Sequence, residues 1–237
     1  MAATRLITPP GVYAPQADSA LLMDCLAREK PGPGVRALDL CTGTGVVAIA
    51  AARSGAEVTA VDISRAAVAA ARINARRHGA RVRVRRGDLA EPVAEERFDL
   101  VTVNPPYVPA ASPRTPARGA GRAWDAGWDG RLLLDRICRT APSVLAPRGV
   151  LLIVQSSLAG VDESLAALNR AGLCPARVVA RRRERFGPVM AERAAWFEER
   201  GLVAPGVRSE ELVVIRAERA PVRETSAGRS PRRALAP

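Results

Sequence analysis

The segment Asn104-Pro105-Pro106-Tyr107 has the residue types best suited to hold a planar amino group. Its two prolines lack backbone N–H donors and fix φ, so the Asn104 side chain and the Pro105 carbonyl point in set directions. An NH2 group can donate one hydrogen to each of these two oxygens while it packs on the Tyr107 ring. This geometry positions a nitrogen nucleophile and stabilises its developing positive charge without a strong base. The segment therefore indicates group transfer to an amide-like nitrogen.

A glycine-rich turn from Asp39 to Gly45 is the second candidate element. Ile49 stands where a dinucleotide fingerprint would need its third glycine, and no Lys-Ser/Thr pair marks a phosphate-binding loop. Gly43 and Gly45 allow the backbone to approach a ligand closely, because no Cβ intervenes. The turn predicts a ligand site that is neither a dinucleotide fold nor a P-loop.

Acidic residues follow the strand-like segments on either side of this turn. Asp62 could accept hydrogen bonds from both hydroxyls of a ribose. Asp88 suits an exocyclic adenine amine, and Asp39 could reach an ammonium group directly or through water. Carboxylates converging on one ligand favour a cationic sulfonium with an amino acid over a pyrophosphate. The pattern therefore predicts S-adenosylmethionine as the cofactor.

The elements that would position these residues alternate between strand-like and helical segments. Predicted strands cover 35–40, 57–61, 82–86, 98–103 and 149–155, and predicted helices cover 46–53, 64–78, 132–144 and 162–171. Such alternation predicts a mostly parallel sheet covered on both faces, with ligands at the carboxyl ends of its strands. Segments 177–183 and 212–217 are predicted to form a final antiparallel pair.

Three regions fall outside this alternation. Residues 108–130 lack periodicity and are long for a connection, which indicates either disorder or a functional loop; their position favours a substrate-side lid. Residues 1–34 are predicted to be an N-terminal helical extension to a domain over 35–218. Residues 219–237 are predicted to be a disordered basic tail.

Composition limits the class of protein. The chain carries a net charge of +12, which attracts phosphate, but Lys30 is its only lysine. An arginine-rich, Ala/Gly/Pro-rich composition is also typical of a GC-rich coding sequence, so nucleic acid binding through a basic surface stays open. No apolar run is long enough for a membrane span, and no secretory signal is apparent, which favours a cytoplasmic protein. The four cysteines have no Cys-x-x-Cys spacing, which predicts buried free thiols rather than a metal site.

The sequence resembles the HemK-type release-factor glutamine methyltransferases, in the short branch without an N-terminal helical domain, from about Val12 to Ile215. The resemblance is carried by Gly11-Val12-Tyr13-Ala14-Pro15, Asp18-Ser19, Asp39 to Gly45, Asp62, Asn104 to Tyr107, Trp124-Asp125-Ala126-Gly127, Asp129-Gly130-Arg131, Phe186-Gly187-Pro188-Val189 and Arg193-Ala194. It implies a single α/β, Rossmann-like class I methyltransferase domain, with a seven-stranded, mostly parallel sheet ending in an antiparallel pair. It also implies N5-methylation of the glutamine in a Gly-Gly-Gln motif of a translation release factor.

By this resemblance Asn104, Pro105, Pro106 and Tyr107 form the catalytic motif, in which Asn104 and Pro105 bind the target amide. The expected cofactor-binding residues are Asp39, Cys41, Thr42, Gly43, Gly45, Asp62, Ile63, Asp88, Leu89 and Asn104. Cys41 replaces the first glycine of the commoner pattern.

Other interpretations remain open at this stage. Asn-Pro-Pro-Tyr also serves adenine-N6 methyltransferases acting on DNA or RNA, because adenine presents a planar NH2 group too. A non-catalytic nucleotide- or RNA-binding module with the same fold is a further alternative. Relatives of the short branch act with a small activating subunit, so the resemblance also raises such a partner.

Overall fold

The computed structural model describes residues 5–117 and 119–221. Its strands are β1 (Arg36–Leu40), β2 (Glu57–Asp62), β3 (Val82–Arg86), β4 (Phe98–Val103), β5 (Leu145–Ser156), β6 (Arg177–Arg185) and β7 (Ser209–Glu218). Its α-helices are α1 (Ala17–Arg28), α2 (Val46–Arg53), α3 (Arg65–Arg77), α4 (Leu132–Val144), α5 (Val161–Arg170), α6 (Pro188–Glu192) and α7 (Ala194–Glu199).

The strands form one sheet in the order β3-β2-β1-β4-β5-β7-β6. The first five strands run parallel, and β7 pairs antiparallel with both β5 and β6. Helices α1, α2 and α3 pack side by side, while α4 packs on α5, so helices cover the sheet in two groups. The predicted α/β class and the C-terminal antiparallel pair are confirmed.

Local sequence accounts for most of these elements. Ser64 caps α3, where its hydroxyl accepts the Ala67 N–H, as side-chain oxygens do at helix N-termini. β5 is buried from Gly149 onward, which suits a central strand covered on both faces. β3 alternates Val and Arg at the edge of the sheet, where one face meets solvent.

Strand order reverses between β1 and β4, which lie side by side at the centre of the sheet. Chain segments leaving such neighbours diverge to opposite sides, so a crevice opens beyond their carboxyl ends. The glycine-rich turn follows β1, and Asn104 follows β4. The fold therefore brings the two main candidate segments to the same crevice.

The N-terminal helix packs against the sheet. Leu22 and Leu26 of α1 are buried in the common core, and Glu29 accepts hydrogen bonds from Arg216 of β7. The division into an extension over 1–34 and a domain over 35–218 stays a prediction. Of the predicted tail over 219–237, residues 222–237 lie outside the described residues.

The structure also bears on the predictions for the cysteines and for membrane-spanning helices. Cys25 and Cys138 are buried free thiols, as predicted. Cys41 is half-buried and Cys174 is exposed, so the prediction was wrong for these two. Within residues 5–117 and 119–221, no helix is both long and apolar enough to cross a membrane.

Candidate active site

A cavity of about 280 Å³ lies beyond the carboxyl ends of β1, β2 and β4. It is lined by all but one of the residues predicted from the sequence: Asp39, Cys41, Thr42, Gly43, Asp62, Ile63, Asp88, Leu89, Asn104, Pro105, Pro106 and Tyr107. The fold thus gathers residues separated by up to 68 positions (107 − 39) around one space.

Gly45 is the predicted site residue that does not line the cavity. A Cβ built on it would lie 3.1 Å from Cα of Ala71, and its φ is +84°. Gly45 therefore lets the start of α2 pack closely on α3, which sets the course of the glycine-rich turn. Its contribution to the site is through the backbone.

Asp39 lies at the floor of the cavity and is buried. The Thr42 hydroxyl donates to Oδ2 at 2.6 Å, and the Thr102 hydroxyl donates to Oδ1 at 2.7 Å. Desolvation raises the pKa of Asp39 to about 6, against the lowering effect of these two hydrogen bonds. Because both oxygens already accept hydroxyls, contact with an ammonium group stays a prediction and would use the remaining lone pairs.

Asp62 ties the glycine-rich turn to the end of β2. Its Oδ2 accepts the Gly43 N–H at 2.9 Å, and its Oδ1 accepts the Ser64 N–H at 2.8 Å. Burial raises the pKa of this carboxyl, while the two N–H donors and the Arg122 charge lower it. Asp62 is consequently a partly buried carboxylate held by backbone donors at the cavity wall.

Asp88 is more exposed and has a cationic neighbour. Its Oδ2 forms an ion pair of 2.8 Å with Arg136 of α4. An incoming adenine amine would meet a carboxylate already shared with Arg136, which the sequence did not indicate. Across the described ranges, no group of three or more His, Cys, Asp or Glu side chains is arranged to hold a metal ion.

The Asn104 side chain is held by the start of α1. Its Nδ2 donates to the Ser19 hydroxyl at 3.2 Å, and Ser19 Oγ in turn donates to Asp18. With the amide nitrogen turned toward Ser19, the side-chain oxygen is the atom left for an incoming donor. Ser19 thereby determines which end of the Asn104 amide an acceptor meets.

Asp18 also anchors the tyrosine of the motif. The hydroxyls of Tyr107 and Tyr13 both donate to its Oδ2, at 3.0 Å and 2.9 Å. Burial and the Asp18 charge raise the pKa of Tyr107 well above its usual value, so the phenol stays protonated. The sequence assigns Asp18-Ser19 no role beyond the resemblance, whereas in the structure Ser19 bonds Asn104 and Asp18 bonds Tyr107.

The aperiodic segment over 108–130 is tied down at several points. Val108 donates to the Trp124 carbonyl at 2.8 Å, and Ala126 donates back to the Val108 carbonyl at 3.0 Å. Arg193, beside α7, forms an ion pair of 2.6 Å with Asp125. These bonds hold Trp124 at the cavity wall, whereas a lid role for the segment stays a prediction.

Gly130 provides a test of how closely this segment supports the motif. A Cβ there would overlap the Tyr107 carbonyl oxygen, and its φ is +76°. Gly130→Ala is expected to displace the Tyr107 backbone and lower kcat/KM by roughly 10–100-fold, the scale of effect for ångström misplacements. Steady-state turnover measures this loss.

Gly127→Ala is the matched control. Gly127 also has a positive φ, +84°, but a Cβ there would meet only Leu132 Cβ, at 3.6 Å. Both variants should lose about 1–2 kcal/mol of stability from the left-handed backbone. Equal activity in the two variants would show that the Gly130 contact does not position Tyr107.

The chain is similar in sequence to known methyltransferases. The family model described as "Methyltransferase small domain" matches residues 3–116. A release factor glutamine methyltransferase of Geobacter sulfurreducens is 34% identical over 71% of this chain, and the match spans 61% of that relative's length. A provisionally named protein N5-glutamine methyltransferase of Methanocaldococcus jannaschii is 36% identical, over 71% of this chain and 84% of the relative.

Other similarities are shorter or structural. A ribosomal protein uL3 glutamine methyltransferase of Bradyrhizobium diazoefficiens is 45% identical over 49% of this chain and 39% of its own length. A Thermus thermophilus 16S rRNA N2 G1207 methyltransferase, solved with AdoMet and guanosine, superimposes with a TM-score of 0.61. That match covers 90% of this chain and 46% of the neighbour at 20% identity, so it bears on the fold alone.

Proposed function

The chain belongs to the HemK-type glutamine methyltransferase family, and on that premise we propose that it methylates the side-chain amide nitrogen of a protein glutamine, using S-adenosylmethionine. The observation that supports this most strongly is the Asn104 amide, whose nitrogen is committed to Ser19 and whose oxygen remains for a substrate N–H. The chain spans about three fifths of the Geobacter sulfurreducens relative, so activity, substrate and partners are all part of the proposal.

The residues of the cavity at the carboxyl ends of β1, β2 and β4 fit a cationic cofactor. Asp39 and Asp62 are desolvated carboxylates whose hydrogen-bond donors are hydroxyls and backbone N–H groups, so a bound cation would offset their burial. We propose that Asp62 binds the ribose hydroxyls, that Asp88 and Leu89 contact the adenine, and that Asp39 interacts with the ammonium group. When bound, S-adenosylmethionine supplies an electrophilic methyl group on a positively charged sulfur.

The contribution of the chain itself is to bind and orient the acceptor. The Asn104 side-chain oxygen and the Pro105 carbonyl each accept one hydrogen of the glutamine NH2, which fixes the plane of the amide. As the nitrogen gains a methyl group it becomes positive, and both oxygens stabilise that charge. The surplus proton then leaves to water, so no side chain of the site has to act as a strong base.

The proposed substrate is the glutamine of the Gly-Gly-Gln motif in a translation release factor. The release factor follows the name of the Geobacter sulfurreducens relative, and a protein glutamine as acceptor follows that name and the name of the Methanocaldococcus jannaschii relative. The Gly-Gly-Gln motif follows the family resemblance. Ribosomal protein uL3 is a second candidate, because a relative with 45% identity carries that name. Both substrates present the same primary amide, so the chemistry at Asn104 is common to them.

Partners and location complete the proposal. A protein of the translation machinery as substrate implies that the enzyme works in the cytoplasm. A small activating subunit and nucleic acid bound by the basic surface are further hypotheses, and adenine-N6 methylation is the rival reaction. A non-catalytic role would require that the cavity bind cofactor without any transfer.

An experiment with labelled S-adenosylmethionine distinguishes glutamine methylation from adenine methylation and from a non-catalytic role. We expect that the protein, incubated with labelled S-adenosylmethionine and a lysate of cells lacking it, places the label on a Gly-Gly-Gln glutamine. Digestion and mass spectrometry locate the methyl group. Label on uL3 would change the substrate, and label on adenine would replace the reaction. Cofactor binding without label in the lysate, even after addition of a candidate activating subunit, would contradict the proposal.

A further inference from the structure

A second cavity of about 510 Å³ adjoins the first. Seven residues line both cavities: Gly11, Val12, Tyr13, Asp18, Tyr107, Val108 and Trp124. Tyr107 and the Asp18 carboxylate therefore stand between the cofactor side and the second space. A protein chain whose glutamine reaches Asn104 has to continue away from the reacting centre, and the second cavity adjoins that centre.

Glu210, near the start of β7, lines this second cavity and plays no part in the reaction described above. Glu210 is only 9% exposed, and its Oε2 atom is buried without a hydrogen-bond partner. A buried acceptor left unpaired carries a free-energy penalty, which a ligand donor can remove. The unpartnered oxygen thus indicates a donor that arrives with a ligand.

Neighbouring acidic side chains make the unpaired Glu210 oxygen still less favourable. Glu184 lies directly opposite it in the β6–β7 pair, and both side chains line the cavity together with Asp18. Like charges placed opposite each other destabilise a sheet. Arg185 also lines the cavity, and Ser156 lowers the pKa of Glu210, but Oε2 has no hydrogen-bond donor among the described residues.

We propose that the second cavity receives the peptide segment flanking the acceptor glutamine and that Glu210 Oε2 accepts a hydrogen bond from a backbone N–H of that segment. This inference rests on the proposed function. A backbone N–H is neutral and slender, so it can donate to the buried Oε2 without the cost of desolvating a substrate lysine or arginine. Glu210 is then a positioning residue, which binds the chain that carries the amide and takes no part in methyl transfer.

The charge state of Glu210 provides a signature. Burial, with the Asp18 and Glu184 charges, raises the pKa of Glu210 to about 7, although the Ser156 hydrogen bond lowers it. Tyr13 and Tyr107 face the same group and stay protonated, because their pKa values are raised. An ionised carboxylate accepts an N–H more strongly than a protonated one. Substrate KM should therefore fall as pH rises through about 7.

Glu210→Gln tests the proposal with the full-length protein and a release factor purified from cells lacking the enzyme. The amide keeps the size of the carboxyl but cannot ionise, and when its oxygen faces Ser156 it presents a donor to the cavity. We expect KM for the release factor to rise by roughly 10–100-fold, the scale of a lost hydrogen bond to a charged group. The pH dependence of KM should disappear, while kcat and the Kd of S-adenosylmethionine stay near the parent values.

Glu211→Gln is the matched control, since Glu211 is the next residue of β7 and pairs with Arg181 outside the cavity. Its KM and pH profile should equal those of the parent. A parental KM and pH profile in Glu210→Gln, or a loss confined to kcat, would overturn the role of Glu210. No transfer by the parent enzyme would instead count against the proposed function.

Folding of the variant can be checked independently. The pKa of Glu210 is higher in the folded chain, at about 7, than its ordinary value of 4.5. Protonation at this site therefore stabilises the fold below pH 4.5, and that stabilisation is lost as pH rises through 7. Glu210→Gln should consequently melt at a temperature at or above that of the parent at pH 8. A lower melting temperature there would show that Glu210 serves the fold rather than the ligand.

Discussion

Asn104→Ala is expected to reduce kcat for methyl transfer by about 10²–10³-fold, the usual effect of removing one group that stabilises transition-state charge. The variant loses the side-chain oxygen that would accept one hydrogen of the substrate amide. The Pro105 carbonyl alone leaves that amide free to rotate, so its nitrogen no longer points in a fixed direction. Steady-state transfer to a release factor measures the loss.

Cofactor affinity should fall far less than kcat in this variant, because Asn104 is only one of ten residues expected to contact the cofactor. Asp39, Asp62 and Asp88 keep their bonds to the protein, because none of them contacts Asn104. Calorimetric titration with S-adenosylmethionine checks this separation of binding from transfer. Asn169→Ala is a suitable control, since Asn169 is exposed away from the site and its side-chain oxygen accepts the Ala176 N–H.

A second variant tests why Asn104 is oriented as it is. Ser19→Ala removes the hydroxyl that accepts the Asn104 Nδ2, so the amide can turn its oxygen away from the substrate. Its kcat should fall less than that of Asn104→Ala, because the Asn104 side-chain oxygen is retained and still faces the substrate in part of the molecules. Turnover of Asn104→Ala comparable with the parent would remove Asn104 from the proposed mechanism.

The sequence predicted the elements around the crevice well because their signals are local. A β-branched run, a serine cap and a glycine stop lie within a few residues of the segments they define, as α3 between Ser64 and Gly79 illustrates. The mostly parallel sheet was also predictable, since strands that alternate with helices pair in parallel. For the same reason the candidate residues could be assigned to one edge of the sheet.

The supporting contacts depend on tertiary packing, which sequence spacing does not encode. Asp18 and Tyr107 are 89 positions apart, and their hydrogen bond depends on how α1 docks against the end of β4. Arg136 reaches Asp88 from a helix that begins after the long segment over 108–130. Glu210 was not singled out because it precedes the strand predicted over 212–217, whereas β7 begins at Ser209 and Glu210 is buried.

Asp62→Ala is expected to weaken S-adenosylmethionine binding by about 1–3 kcal/mol, which corresponds to roughly 5- to 150-fold in Kd. The proposed ribose contact is lost, and the Gly43 and Ser64 N–H groups also lose their acceptor. Asp62→Asn should not restore affinity, because one backbone N–H would then face an NH2 group. Calorimetric titration of the parent and both variants gives the three Kd values.

Asp99→Ala separates the cofactor effect from a general loss of stability. Asp99 likewise accepts a backbone N–H, from Arg36 at 2.8 Å, but it lies near the amino ends of β1 and β4, at the edge of the sheet opposite the cavity. Its removal should lower the melting temperature without changing the cofactor Kd. If Asp62→Ala also lowered the melting temperature and left the cofactor Kd unchanged, Asp62 would stabilise the glycine-rich turn and would not bind the cofactor. A selective rise in Kd for Asp62→Ala would support the ribose assignment, because only that carboxylate combines a structural bond to Gly43 with a position on the cavity wall.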